Sequence, residues 1–414
     1  MNAPAGAVDG ERQDGAPRVS VIVPYYENQL GLDRLLRALE RQGLPAREFE
    51  VIVSDDGSTE APAIGATSYR VRLTRQENLG FRAAAARNGG AALARAPHLV
   101  FLDGDMMPEP GFLTAMLAGM ERHEDGHGVL AVGARKHVDV SECTPDQIDQ
   151  WLTSGHAHGA RRLEDPSWLS DGYARSNDLA AANVEDFRLI ISALMSVDRE
   201  LFEFVGGFDE TLTGYGGEDW DLAYRCWQAG ARFTHVRSAI AWHDGPDLGG
   251  RADTRDIKDA ETMALAQRIP LSSTRGQGVV FEQPAAVVRV RGHDNDGEAF
   301  LTALKLLRDT DAGIWFVDRD SIPTALAQDP RIRVGEPEPR YRARSRYLVD
   351  VTAPLTLHEP LGALCERGEQ SAPGLLELRE TRNVNRGESD VSVVCDAARP
   401  ADTQQRIEGR VAHG

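Results

Sequence analysis

A chain of 414 residues, 41% of them apolar, can bury a full core and is long enough for two domains. Its formal net charge of -18 excludes wrapping nucleic acid or coating an anionic membrane by bulk attraction, since both need a basic face. No run approaches the roughly 18 consecutive apolar residues of a membrane span, and residues 1–17 lack the basic-then-apolar order of a secretory signal, so a cytoplasmic protein is expected.

Residues 1–17 are rich in Ala, Gly, Asp and Pro and read as a disordered tail. From residue 18 a regular alternation begins. The β-branched run 19–24 reads as a strand, Leu32, Leu35, Leu36 and Leu39 recur at helical spacing, and Val51-Ile52-Val53 is a second strand. Val71-Arg72-Leu73, an Ala-rich helix over 81–94, the strand Leu99-Val100-Phe101-Leu102 and a helix from Pro110 continue the pattern. Such alternation predicts an α/β fold with a mostly parallel sheet covered by helices, and ligands bind at the carboxyl ends of its strands. Residues 136–187 break the rhythm with polar sequence around Trp151, Trp168 and Tyr173, as an acceptor-side insertion would. A strand within 189–197, a helix from Arg199, a Gly206-Gly207 stop, a helix opening at Glu218-Asp219 and a strand into Trp242-His243 complete a first domain, 18–270. Residues 284–414 start again with Val287–Val290, a helix over 298–308 and the strand Gly313–Val317, predicting a smaller α/β domain of unassigned role through which copies could assemble.

Two acidic clusters carry the chemistry: Asp103-Gly104-Asp105 closes an apolar strand, and Gly216-Gly217-Glu218-Asp219 opens an amphipathic helix. Carboxylates concentrated at the ends of buried elements repel one another and lose hydration, so a cation or a reaction must offset the cost. Asp103 and Asp105 on a solvated turn, and Glu218 and Asp219 as first-turn acids complementing the helix dipole, are the plain alternatives. Pro24-Tyr25-Tyr26-Glu27 and Ser54-Asp55-Asp56-Gly57-Ser58 also follow strands directly, although Asp, Gly and Ser are ordinary loop formers. Cys143, Cys226, Cys365 and Cys395 lack metal-ligand spacing and read as reduced thiols. His156 and His158 have no partner cluster and read as loop. Arg340, Arg342, Arg344 and Arg346 alternate, predicting a charged edge strand with Tyr341 and Tyr347 on its other face.

The ordered set Val21–Asn28, Val53–Ser58, Asn78-Leu79-Gly80-Phe81, Ala86-Arg87-Asn88, Asp103-Gly104-Asp105, Gly206–Glu210, Gly216–Asp219 and Trp242-His243 resembles family 2 glycosyltransferases of the GT-A fold. Its second half resembles the galactosyltransferase-type segment of chondroitin polymerases. The resemblance covers a little over half of the chain. It implies an inverting, metal-dependent transferase that moves a sugar from a nucleotide sugar, UDP-linked by expectation, to a hydroxyl of a glycan, peptide or small molecule. Mn2+ or Mg2+ is the implied cofactor, with Asp105 and His243 as ligands and Asp103 on the ribose or the cation's water shell. Asp219 is the implied base and Glu218 orients the acceptor. Pro24, Tyr25 and Glu27 would flank the base, Asp56 or Asp55 would accept from the uracil ring nitrogen, and Arg87, with Arg82 as the alternative, would reach the diphosphate. Two departures concern sugar identity: Leu194 lies where relatives carry an asparagine, and Tyr215 replaces a common tryptophan. A sugar nucleotidyltransferase would need a Gly-rich loop after the first strand, which Pro24–Glu27 is not. A carbohydrate-binding scaffold with a relic site is the non-enzyme alternative.

Overall fold

The computed structural model describes residues 15–121, 128–246, 255–276, 278–357, 359–367, 376–387 and 399–400. Most of the expected tail (1–14), Cys395 and the end of the expected second domain (401–414) lie outside the described residues. The chain divides into two compact units, the first running through Ala264 and the second beginning at Leu265.

In the first unit the elements are β1 (Val19–Tyr25), α1 (Gln29–Leu39), β2 (Phe49–Asp55), β3 (Arg70–Arg75), α2 (Ala83–Ala92), β4 (His98–Leu102), β5 (Met106–Pro108), α3 (Phe112–Glu121), β6 (Val129–Asp139), α4 (Pro145–Ser154), β7 (Arg161–Arg162), α5 (Ser167–Arg175), β8 (Leu194–Asp198), α6 (Arg199–Phe204), α7 (Glu218–Gln228), β9 (Arg232–Asp244) and α8 (Arg255–Arg268), which crosses the boundary. One sheet runs β3-β2-β1-β4-β8-β6-β9-β5, with β7 on β6. β1, β2, β3 and β4 are mutually parallel, whereas β8 is antiparallel to both β4 and β6, and β5 is antiparallel to β9. The sheet is therefore parallel from β3 to β4 and mixed from β8 to the β5 edge. β2 is buried along its whole length, as a strand covered on both faces must be, and its apolar centre Val51-Ile52-Val53 is flanked by buried Glu50, Ser54 and Asp55. Helix α2 lies flush on β1 because Gly90 faces Ile22: a Cβ there would come within 2.5 Å of the Ile22 Cγ2 atom.

The segment expected to be an insertion, 136–187, carries α4, β7, α5 and the start of a 3-10 turn at Val184–Leu189. Thr144 and Gln147 form a capping box that starts α4. Trp151 is buried and meets Trp242 edge-on with centroids 5.0 Å apart, so much of the segment is core rather than loop.

The second unit contains α9 (Ser272–Arg275), β10 (Ala286–Val290), α10 (Asp296–Leu307), β11 (Ala312–Phe316), β12 (Ile332–Val334), α11 (Pro339–Arg344), β13 (Tyr347–Val351), β14 (Leu355–Thr356), α12 (Leu361–Arg367), β15 (Leu376–Glu380), α13 (Thr381–Arg386) and β16 (Arg399–Pro400). Its main sheet is ordered β12-β11-β10-β13-β15. The expected arginine-bearing edge strand is not there. Arg340, Arg342 and Arg344 lie in helix α11, because Pro339 pre-sets the first helical turn and Tyr341 inserts its ring into the core against Trp315. An alternating charge pattern seven residues long fits either period, and burial of Tyr341 decides it.

No described helix is long and apolar enough to cross a membrane.

Candidate functional site

Parallel pairing of β1 with β2 and β4 brings Tyr25, Asp55 and Leu102 to one side of the sheet, so the three loops that follow share a rim. The Asp56 N–H donates to the Tyr25 carbonyl at 2.8 Å, and the Glu27 N–H donates to Ser58 Oγ at 3.0 Å. Glu27 adopts a left-handed φ of 47°, uncommon for a residue with a Cβ, and its carboxylate accepts from the Thr59 N–H, which holds its pKa below the usual range. Tyr25 is buried and Pro24 half-buried; the exposed aromatic of this loop is Tyr26, whose hydroxyl accepts from Asn78 Nδ2. Asp56 accepts from the Arg82 N–H and from Gln76 Nε2, and Asp55 from the Ser58 N–H, with Arg75 at 3.2 Å. Arg82 itself points to Glu210, at 3.9 Å.

The two acidic clusters meet through one buried cation. Arg87, on α2, places Nη2 2.7 Å from Asp103 Oδ1 and Nη1 2.9 Å from Glu218 Oε1, joining residues 131 positions apart in the chain. Burial opposes its charge, but Asp103 and Glu218 together outweigh that, so the guanidinium stays protonated. Sequence reasoning aimed Arg87 at a diphosphate; here its guanidinium lies between the two carboxylates. A backbone segment makes a second connection. The Asp103 N–H donates to the Ala193 carbonyl at 3.1 Å, and the adjacent Ser192 N–H donates to Asp219 Oδ2 at 3.3 Å. Nothing in the side chains of Ser192 and Ala193 could have announced this role, since the backbone performs it.

Asp219 sits in the first turn of α7, entered through Gly216 and Gly217 at φ of 95° and 90°. That left-handed approach, open to glycine without strain, aims the helix start at the rim. Besides Ser192, the Trp220 N–H donates to Asp219 Oδ1 at 2.8 Å. Desolvation first, and then the like charge of Glu218, raise the Asp219 pKa to about 7, against the opposing pull of Arg87 and the two N–H donors. A carboxylate poised there can exchange a proton near neutral pH. Glu261, on α8, packs against Gly216. Tyr215 is exposed and its ring lies 5.8 Å from that of Phe81, also exposed, whereas Leu194 is buried inside β8 opposite Leu102.

Antiparallel pairing of β5 with β9 places Met106 opposite His243 and so brings Asp105 beside the imidazole. His243 Nε2 is 3.3 Å from Asp105 Oδ2, while Nδ1 is 3.0 Å from the Gly245 carbonyl. A carbonyl can only accept, so Nδ1 carries a proton and Nε2 is the ring atom left to face Asp105. Burial works against a second proton, but the Asp105 carboxylate overrides it and the His243 pKa is raised. One carboxylate oxygen and one imidazole nitrogen suit Mn2+ or Mg2+. Their 3.3 Å separation leaves both atoms within reach of one cation. Among the described residues no three His, Cys, Asp or Glu side chains form a ready-made cage, so the other positions would fall to water and substrate oxygens. Asp244 pairs with Arg34 and accepts from the Val140 N–H, and Trp242 donates to Glu109, contacts that fix the strand end carrying His243 and that sequence reasoning missed.

Residues 20–172 match the family model "Glycosyl transferase family 2", and residues 185–243 match "N-terminal domain of galactosyltransferase". Over residues 20–172 the first unit matches family 2 glycosyltransferases. Its α/β sheet is mixed and mostly parallel. Validoxylamine A glucosyltransferase of Streptomyces hygroscopicus subsp. jinggangensis is 35% identical to the chain over 233 residues, covering 54% of this chain and 54% of that protein. Chondroitin synthase of Escherichia coli is 26% identical over 268 residues, covering 61% of this chain and 38% of that protein. The chain thus spans about half, or less, of the length of these relatives. Among solved structures, S. aureus TarS 1–349 in complex with UDP is 16% identical, covers 63% of this chain and 74% of its own, and has a TM-score of 0.40.

Proposed function

We propose that the glycosyltransferase domain transfers a sugar from a nucleotide sugar, UDP-linked, to an acceptor hydroxyl with inversion at the anomeric carbon. The observation that carries this reading is the Arg87 bridge, which sets the Asp103-Gly104-Asp105 loop and the Glu218-Asp219 helix start side by side. In a single displacement the acceptor oxygen bonds to the anomeric carbon as the bond to the diphosphate breaks, and Asp219 takes the hydroxyl proton. Glu218, fixed by Arg87, orients the acceptor hydroxyl, and Asp103 faces the ribose. Pro24, Tyr25, Glu27 and Asp56 form the loops that would enclose the base, with the exposed Tyr26 beside them. Asp105 and His243 are the residues that would hold Mn2+ or Mg2+. A divalent cation there would offset charge building on the departing diphosphate. Tyr215 and Phe81 offer an aromatic platform for an acceptor glycan or small molecule.

The test is a panel of UDP-sugars with manganese, scored for donor hydrolysis and for transfer. One donor should be consumed in a metal-dependent way, and Asp219→Asn should retain donor affinity while losing at least a hundredfold in transfer. Full transfer by Asp219→Asn would overturn the assignment of the base.

A further inference from the structure

We infer that the second unit is a pared-down copy of the sheet that carries the candidate site, and that this copy has given up the divalent cation, leaving one cation per chain. The clause about the remaining cation rests on the function proposed above.

Strand order comes first. β12-β11-β10-β13-β15 repeats β3-β2-β1-β4-β8, with the first three joins parallel and the last antiparallel in both. Doubly wound sheets share orders often, so order alone is weak. The register makes the case. β1 at Val19 faces Phe49 and His98, and β10 at Ala286 faces Ala312 and Tyr347. Counting equally from Val19 and Ala286 reaches Asn28 and Asn295, each capping the next helix by accepting from the N–H three residues on. The buried positions of α10, Ala299, Thr302, Ala303 and Leu306, then coincide with Leu32, Leu35, Leu36 and Leu39 of α1. Counting from Phe49 and Ala312 reaches Asp55 and Asp318, each accepting a backbone N–H at the rim. Asp198, opposite His98, and Glu380, opposite Tyr347, each end a strand that runs straight into a helix, α6 and α13.

The same counting shows where the copies part. From His98 and Tyr347 it sets Thr352 at the place of Asp103 and Pro354 at the place of Asp105. Proline offers a cation no side-chain donor, and threonine offers a neutral one. Arg319 takes the place of Asp56 and turns back to Asp296 and the His293 carbonyl. The rim of the second sheet keeps the frame and has lost the carboxylates that the chemistry uses.

Manganese bound by the full chain in the presence of UDP, counted by electron paramagnetic resonance, decides the matter. One equivalent is expected in the native chain, with Asp105→Ala and His243→Ala each weakening it at least tenfold and Asp318→Asn leaving it unchanged. No bound manganese in the native chain would refute the cation reading of the first unit while agreeing with its loss from the second. An equivalent that survives Asp105→Ala and disappears in Asp318→Asn would overturn the inference.

Discussion

Replacing Arg87 by methionine keeps the unbranched apolar stem of the side chain and removes the charge that joins the acidic clusters. The guanidinium is 4% exposed and makes two short charge-assisted bonds, while its partners differ: the Glu218 side chain is 10% exposed and that of Asp103 is 32%. Breaking a buried pair from one side costs about 3–5 kcal/mol, because the remaining charge is left without compensation. Asp103 can recover water, so the penalty falls chiefly on Glu218, which also faces Asp219; the loss should be near the lower figure, about 3 kcal/mol. Urea unfolding measures it. Activity gives an independent reading, since Arg87 lowers the Asp219 pKa and its removal must raise it further. The rise of kcat/KM with pH should therefore move to higher pH in Arg87→Met, and Arg87→Lys, with charge but no fork, should fall between. A loss below about 1 kcal/mol, or a pH profile moved downward, would refute the clamp.

In the native chain the base must be deprotonated, so transfer should fall about tenfold per pH unit below about 7, the value to which Asp219 is raised. The same raised pKa means the folded state holds this proton more tightly than the unfolded chain does. That contribution to stability is present at acid pH and lost as pH rises through 7, and Asp219→Asn should flatten it in unfolding curves taken at pH 5 and 8. Asp105→Ala should abolish the rise in Tm that manganese with UDP gives the native chain, because binding to the folded state alone stabilises it; an unchanged rise would exclude Asp105 as a ligand. Asn88 ties α2 to the Gly206–Glu210 turn by accepting from the Phe208 N–H and donating to its carbonyl, each at 2.9 Å. Asn88→Ala should cost about 1–3 kcal/mol in urea unfolding, for two backbone groups left unpaired.

Most of the secondary structure was legible because its signals are local. Apolar runs of strand length, the 3.6-residue recurrence of Leu32, Leu35, Leu36 and Leu39, and glycine stops depend on neighbours within a turn or a strand. The acid clusters were legible too, since carboxylates at the ends of buried elements violate the usual segregation of charge. Where periods were ambiguous the reading failed, as at Arg340–Arg344, whose alternation could not report that Tyr341 would be drawn into the core.

Sequence by itself determined which residues are exceptional and which strand ends carry them. Tertiary structure alone decided what they touch. That Arg87 of α2 faces carboxylates after β4 and at the start of α7, that Asp219 is held by the Ser192 N–H just before antiparallel β8, and that Asp105 stands against His243 where β5 pairs with β9 are all contacts between distant segments. Strand order is a property of how distant segments compete to bury their faces, and no window of local sequence contains it.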